Sequence, residues 1–277
     1  MTPKIIPGSN KVIILKNIYN YTENGTPGGT VTDVHSSDWY LINYEFNHGV
    51  SSENKIKNLN SHPYFVRKGI TSTTNKYVTV ISDFYTYVID IYSLETHVLP
   101  EDPEIEDAFM EQNNQNMILI EGFIDYSICS YNLESQDLTS LYTLDNYYNK
   151  LSQSYCNPVD YLFCWNGSNI FITDIINNTA KPLNFYLPDQ MIIYSSHRAA
   201  TLKSSQYIEF YSFASDTLYY EKSITLHHTN AINFSVSSAA DFQVYQTKNH
   251  DGQDLIVYLD IPNESEHVLF NNEHHED

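Results

Sequence analysis

A short pattern of alternating apolar residues recurs six times along this chain of 277 residues. Each copy is rich in Val, Ile, Leu, Phe and Tyr, and most copies end in a small polar or acidic residue followed by Leu, Ile or Phe. The mean period is about 43 residues, which predicts one structural unit per repeat. The six copies are YLINYEF (40–46), VIDIYSL (88–94), SICSYNL (127–133), IFITDI (170–175), YIEFYSF (207–213) and LIVYLDI (255–261).

Each copy lies within a unit of four short strands. A turn signal precedes it, as at Asp251-Gly252, and another apolar run comes before that turn, as at MILIE (117–121). A polar turn and a last short strand follow it, as at THVL (96–99). Four strands in about 40 residues is the size of a propeller blade. Helical solenoids of this period are disfavoured because the runs alternate with period two, and a β-sandwich would not explain the repeat.

The sequence therefore predicts an all-β fold, a β-propeller of about six four-stranded blades. We expect residues 1–277 to form a single domain, because a chain of this size buries a sufficient core without disulfides. The expected blades are 11–60, 62–100, 106–145, 151–188, 191–228 and 231–272, and residues 273–277 form a polar tail.

Two segments resemble known propeller repeats. The segment QTKNHDGQDLIVYLDIPN (246–263) is similar to the TolB-type repeat, with an Asp-Gly hairpin before a strand that ends in Asp260 and Ile261. The segment VISDFYTYVIDIYSLET (80–96) resembles a degenerate WD40 strand pair. The Gly-His and Trp-Asp pairs of true WD40 repeats are absent. The resemblance implies a WD40-like or TolB-like propeller and little about function, because propellers serve many activities.

No known catalytic or cofactor motif occurs in the sequence. The nucleophile elbow, the phosphate-binding loop, the dinucleotide fingerprint and the H-E-x-x-H zinc motif are all missing. Cys129, Cys156 and Cys164 lack the paired spacing of a zinc site. We therefore expect no catalytic residues, no metal and no cofactor. An enzyme or glycan-binding propeller that uses the central channel remains the alternative, because such sites draw single residues from several blades.

Charge is the most informative functional signal. The net charge is −20, and residues 77–149 hold 14 Asp and Glu but no Lys or Arg. A field of this sign argues against nucleic acid and anionic membranes, which are recognised through Lys and Arg. The odd number of cysteines and the lack of a recognisable signal peptide predict a cytoplasmic protein.

The densest acidic segment is PEDPEIEDAFMEQ (100–112), between the second and third predicted blades. We predict that it projects from one propeller face and docks a basic protein, in a non-enzymatic interaction module such as an inhibitor or immunity-type protein. The alternatives are a solvated linker and, through its apolar residues, the start of the next strand. The predicted partner-binding residues are Glu101, Asp102, Glu104, Glu106, Asp107 and Glu111.

Overall fold

The computed structural model contains six β-sheets, and no helix occurs in the part of the chain that it describes. The described residues are 2–26, 29–45, 49–56, 69–82, 85–99, 105–122, 126–144, 148, 150–156, 159–166, 169–188, 190–214 and 217–271. The described chain therefore has no helix long and apolar enough to cross a membrane.

The first three sheets follow the chain without interruption, and we call the sheets blades 1 to 6. Each of these blades has four antiparallel strands, and its first strand is the innermost. The strands are β1 (Thr2–Ile5), β2 (Lys11–Thr26), β3 (Gly29–Glu45) and β4 (Gly49–Lys55); β5 (Gly69–Thr73), β6 (Tyr77–Ile81), β7 (Thr86–Asp90) and β8 (Thr96–Val98); β9 (Ile105–Met110), β10 (Asn116–Glu121), β11 (Tyr126–Asn132) and β12 (Leu138–Leu144).

Blades 4 to 6 follow the same plan, except that blade 5 has one additional strand. The segment 150–154 supplies the inner strand of blade 4 and then a short extra strand that pairs in parallel with the inner strand of blade 5. The sheet orders are β13-β15-β16-β17, β14-β18-β19-β20-β21 and β22-β23-β24-β25. The strands are β13 (Lys150–Leu151), β14 (Gln153–Ser154), β15 (Tyr161–Trp165), β16 (Ile170–Asp174), β17 (Thr179–Pro182), β18 (Gln190–Ser195), β19 (Arg198–Lys203), β20 (Tyr207–Ala214), β21 (Thr217–Thr225), β22 (Ile232–Val236), β23 (Phe242–Lys248), β24 (Asp254–Asp260) and β25 (Ser265–Asn271).

The prediction of a propeller with six four-stranded blades is confirmed, with the added strand in blade 5. Blade 1 begins at Thr2, earlier than the repeat pattern indicated, because β1 pairs with Val12–Leu15 and completes the first sheet. The boundary predicted near residues 60–62 and the predicted tail 273–277 lie outside the described residues.

Apolar clusters fill the spaces between successive blades and form the core. Six such clusters occur among the described residues, one for each neighbouring pair, including the pair formed by blades 6 and 1. Within β10, Met117 and Leu119 face blade 2 while Ile118 and Ile120 face blade 4. A strand buried on both faces needs apolar side chains on both, which explains the continuous run MILIE.

The ring closes by packing rather than by exchange of a strand. Each end of the chain supplies a complete sheet, with β1–β4 at the start and β22–β25 at the end. Ile5, Ile14, Val244 and Ile256 share one buried cluster between these two blades. The backbone nitrogen of Ile5 also donates a hydrogen bond to Ser235 Oγ at 3.2 Å.

The recurring polar residue at the end of the third strand caps the hairpin that follows it. Asp90 Oδ1 accepts hydrogen bonds from the backbone nitrogens of Tyr92 at 2.8 Å and Ser93 at 3.0 Å. Asn132, Asp174 and Asp260 accept equivalent bonds in blades 3, 4 and 6. These side chains hold the backbone of the turn, as Asx turns do. The repeated Asp or Asn therefore has a structural role.

The two faces of the ring differ in the turns they carry. Because neighbouring strands are antiparallel, turns between the first and second strands and hairpins between the third and fourth share one face, the hairpin face. The inner strands begin, and the fourth strands end, on the opposite face, which we call the channel face. The paired strands β2 and β3 continue past the rest of blade 1 on the channel face.

Candidate functional site

The predicted acidic docking segment is not one projecting loop. Glu106 and Asp107 belong to the inner strand β9 and are each 8% exposed, and Glu111 follows the far end of that strand and is equally buried. Glu101, Asp102 and Glu104 lie outside the described residues. For the three described residues, the structure shows the alternative in which the segment is the start of the next strand. The partner-binding role of these residues stays a prediction.

A central cavity of about 590 Å³ lies where the inner strands meet. Its lining includes the first residues of several inner strands, such as Thr2, Gly69, Lys150 and Gln190, so the cavity belongs to the channel face. Every blade contributes. Representative lining residues from blades 1 to 6 are Lys4, Ile70, Asp107, Trp165, Met191 and Asn233.

Lys4 is the buried cation of this cavity. Its Nζ donates a hydrogen bond to the carbonyl oxygen of Phe234 at 3.3 Å, across the junction of blades 1 and 6. Burial lowers the pKa of Lys4 from 10.5 to about 8, against a smaller raising effect of the Asp107 carboxylate. Asp107 itself accepts the backbone nitrogen of Leu151 at 2.8 Å and that of Ala108 at 3.0 Å.

A relay of side-chain amides joins blades 5 and 6 beside Lys4. Gln190 Nε2 donates to Asn233 Oδ1 at 3.0 Å, and Asn233 Nδ2 donates to Gln246 Oε1 at 3.0 Å. Gln190 Oε1 accepts the backbone nitrogen of Phe234 at 2.8 Å. Asn233 has a φ of 54°, a left-handed conformation that asparagine tolerates better than most residues. The relay is satisfied within the protein and links blades 5 and 6 on this side of the cavity.

Three other polar side chains line the same cavity without a hydrogen-bond partner in the described structure. They are Asn17, whose amide is buried, Gln153, which is 5% exposed, and Trp165, which is 3% exposed. Gln153 lies near the hydroxyl of Tyr155, but that hydroxyl is hydrogen-bonded to Ser235 Oγ at 2.8 Å, and neither atom of the Gln153 amide has a partner in good geometry. Buried polar groups in native proteins are nearly always hydrogen-bonded, so these three mark the cavity as a candidate site.

The hairpin face carries exposed carboxylates on blades 2 and 3. Glu95 and Asp137 occupy equivalent positions, because each carbonyl oxygen accepts the backbone nitrogen of the residue that caps its hairpin, at 3.0 and 2.9 Å. Glu134 lies beside Asp137 in the same hairpin, and all three residues are exposed. The two hairpins belong to blades that are neighbours in the ring.

Groupings of metal-ligating or nucleophilic residues are few. No set of three or more His, Cys, Asp or Glu side chains is arranged for a metal ion within the described ranges. Cys129 and Cys164 are buried and Cys156 is half-buried, and none forms a disulfide. Burial raises the pKa of Cys129 and of Cys164 to about 12. Thiols of this kind are poor nucleophiles at neutral pH.

Sequence reasoning missed the residues of the cavity. Lys4 lies in a strand of four residues that the repeat pattern does not include, and Trp165 and Gln153 look like ordinary strand residues. One signal was present: Lys4 is a lone charge in the otherwise uncharged segment TPKIIP (2–7). A charged side chain in such a segment is rarely buried without a partner.

Comparison with known proteins identifies the fold and no family. No protein-family model matches the chain, and no curated protein sequence matches it. Among solved structures, it is similar to TolB from Acinetobacter baumannii, with a TM-score of 0.60 and 12% identity over 94% of this chain. The chain spans 64% of the length of that TolB chain.

Two further solved propellers are similar over most of their own length. A chain of the nidogen/laminin complex has a TM-score of 0.55 and 12% identity, with coverage of 84% of this chain and 89% of that one. A chain of the mitotic checkpoint complex has a TM-score of 0.55 and 13% identity, with coverage of 93% and 90%. The protein is a six-bladed β-propeller, similar in fold to these structures. At these identities the likeness concerns the fold alone.

Proposed function

We propose that this protein is a non-enzymatic interaction module that docks a basic protein on the hairpin face of blades 2 and 3. The observation that carries the proposal is the trio of exposed carboxylates Glu95, Glu134 and Asp137, in a stretch of chain from 77 to 149 without Lys or Arg. We call these three residues the hairpin trio. Unbalanced surface charge of one sign attracts a partner of the other sign.

Blade 1 shows the contrast. Two of its exposed cations lie next to carboxylates of the same blade, with Lys11 Nζ at 2.6 Å from Glu45 and Lys55 Nζ at 2.7 Å from Asp38. Such exposed pairs contribute little to stability, but they neutralise the local field. On the hairpin face of blade 2, Lys76 Nζ is 3.9 Å from Asp90, which is why Asp90 is not counted in the hairpin trio.

The proposal is in keeping with two of the similar propellers, which were solved within protein complexes, nidogen with laminin and the mitotic checkpoint complex. An acidic surface disfavours nucleic acid and anionic lipid as partners. Three cysteines without a disulfide suit a reducing compartment, and we infer that the protein acts in the cytoplasm.

The test compares two variants that lose the same charge at different places. One replaces the hairpin trio by Glu95→Gln, Glu134→Gln and Asp137→Asn, and the other replaces Glu101, Asp102 and Glu104 by the corresponding amides. A basic protein is captured from a lysate of the native cells at low salt and released by high salt. Its association rate with each variant is then measured at two ionic strengths.

We expect the hairpin variant to slow association by about tenfold at low salt and to flatten the salt dependence, because surface charges act mainly on the association rate. If only the second variant slows association, the docking surface is the segment 101–104 and the hairpin face is wrong. Equal slowing by both would show a general effect of net charge. Failure to capture any basic protein would refute the proposal.

A further inference from the structure

The central cavity lies among the inner strands and belongs to the channel face, away from the hairpin trio. Its volume of about 590 Å³ falls within the range of small-molecule sites, roughly 300 to 1,000 Å³. Inner strands from all six blades build it. A ligand there would not interfere with docking on the hairpin face.

Three polar side chains of the wall have unmet hydrogen-bonding capacity. The indole Nε1 of Trp165 is a donor only, and the amides of Gln153 and Asn17 each offer donors and an acceptor. Trp165 and Gln153 are more than nine-tenths buried. The other side of the cavity, with the amide relay through Asn233, is satisfied within the protein. The contrast between these unsatisfied side chains and the satisfied amide relay indicates that this wall binds a ligand.

Donors outnumber acceptors among these groups. Lys4 Nζ has three protons and makes one hydrogen bond within the described structure, to the carbonyl oxygen of Phe234. Both oxygens of Asp107 already accept backbone nitrogens. A surplus of donors around a buried ammonium group suits a ligand rich in acceptors, and a carboxylate forms the strongest hydrogen bonds with such donors.

The amides add a second requirement. Side-chain amides such as those of Asn17 and Gln153 pair well with hydroxyl groups, which donate and accept at the same atom. Apolar residues such as Phe109, Met191 and Ile192 line the cavity as well, and an apolar lining suits the carbon faces of a compact ring.

We propose that this cavity binds a sugar acid, a small ring with one carboxylate and several hydroxyl groups. Lys4 pairs with the carboxylate, and the Trp165 indole with the Gln153 and Asn17 amides holds the hydroxyl groups. The proposal concerns binding only and includes no chemical step. It is independent of the docking function, since the two sites share no residue.

The test uses calorimetric titration of the full chain with three probes at neutral pH. Glucuronate carries both features, glucose lacks the carboxylate, and cyclohexanecarboxylate lacks the hydroxyl groups. We expect glucuronate to bind and each of the other two to bind at least about tenfold more weakly, because each loses buried hydrogen bonds. Lack of glucuronate binding into the tens of millimolar would overturn the proposal. If cyclohexanecarboxylate binds as well as glucuronate, the hydroxyl groups are not recognised and the sugar part of the proposal is wrong. If glucose binds as well as glucuronate, the carboxylate is not recognised and that part of the proposal is wrong.

Variants assign the contacts. Lys4→Met should weaken glucuronate binding by about tenfold to hundredfold and abolish its preference over glucose. Trp165→Phe removes the indole donor, keeps an aromatic ring and should weaken both sugars by several-fold. Lys181→Met, in the outer strand of blade 4, removes the same charge from an exposed position and should change nothing. Unchanged binding by both cavity variants would overturn the site even if glucuronate binds elsewhere. If Lys4→Met fails to fold, Trp165→Phe decides alone.

Discussion

Because of Lys4, the free energy of unfolding of this protein should depend on pH in the alkaline range, and this dependence can be measured directly. In the unfolded chain its ammonium group is solvated and titrates near 10.5, whereas burial lowers the pKa of Lys4 to about 8 in the folded state. Between these values the unfolded chain holds a proton that the folded chain has released. Stability therefore rises with pH across this window and is lowest below it.

The size of the effect follows from the pKa difference. A lowering from 10.5 to about 8 corresponds to about 3 kcal/mol of differential stability between the two ends of the window. The side chain is 5% exposed, so solvent screening reduces this figure little. Attraction to the Asp107 carboxylate is already included, as the smaller and opposing cause of the shift.

The assay compares urea unfolding of wild type and Lys4→Met at several pH values between about 7 and 10.5. Other titrating groups are common to both proteins, so the difference in free energy of unfolding isolates Lys4. We expect wild type to gain about 3 kcal/mol relative to the variant as the pH rises. The loss of the bond to the Phe234 carbonyl adds an offset that does not change with pH. Lys181→Met serves as the exposed control and should follow wild type.

Two results would refute this reasoning. Parallel curves for wild type and Lys4→Met would mean that Lys4 titrates normally and is solvated. A relative loss of wild-type stability with rising pH would mean that an ion pair, rather than burial, controls the ammonium group.

Two further predictions concern the core and the ring. A thiol reagent should label Cys156 quickly, because it is half-buried, and should label Cys129 and Cys164 slowly, because they are buried and their pKa values are raised to about 12. Peptide mapping that shows all three cysteines reacting at one rate would contradict this prediction. Truncation after residue 230 removes β22–β25 and exposes the faces of blades 5 and 1 that pack on blade 6. The fragment should therefore lose cooperative unfolding. A sharp calorimetric melting transition of fragment 1–230 would show that ring closure is not needed.

The repeat could be identified from sequence because its causes are local. Alternating apolar residues specify strands, and the Asp or Asn after the third strand specifies the hairpin through bonds to backbone nitrogens two and three residues on, as at Asp90. The four-stranded unit follows from spacing alone. The parallel strand Gln153–Ser154 was not predictable, since it consists of two residues whose partners lie in the next blade.

The acidic segment shows where local reasoning fails. A run of carboxylates is typical of a solvated loop, yet Glu106 and Asp107 lie in β9. The inner strand of a propeller borders the central channel, so it accepts polar side chains that an ordinary core strand excludes. Asp107 is stabilised there by a hydrogen bond from the backbone nitrogen of Leu151. This contact joins two neighbouring blades and cannot be predicted from a local sequence pattern.

The sequence by itself determined the strands of the repeat, their turns, the size of the unit and the number of units, because these depend on residues a few positions apart. It did not reveal β1 or the parallel strand β14, whose places depend on their partners. Only the tertiary structure decided which side chains meet at the centre. Lys4 contacts the carbonyl of Phe234 across 230 residues of chain, and this contact exists because six interfaces between blades close into a ring. Closure depends on the accumulated geometry of all the blades, so the cavity and its buried cation appear only when the last blade packs on the first.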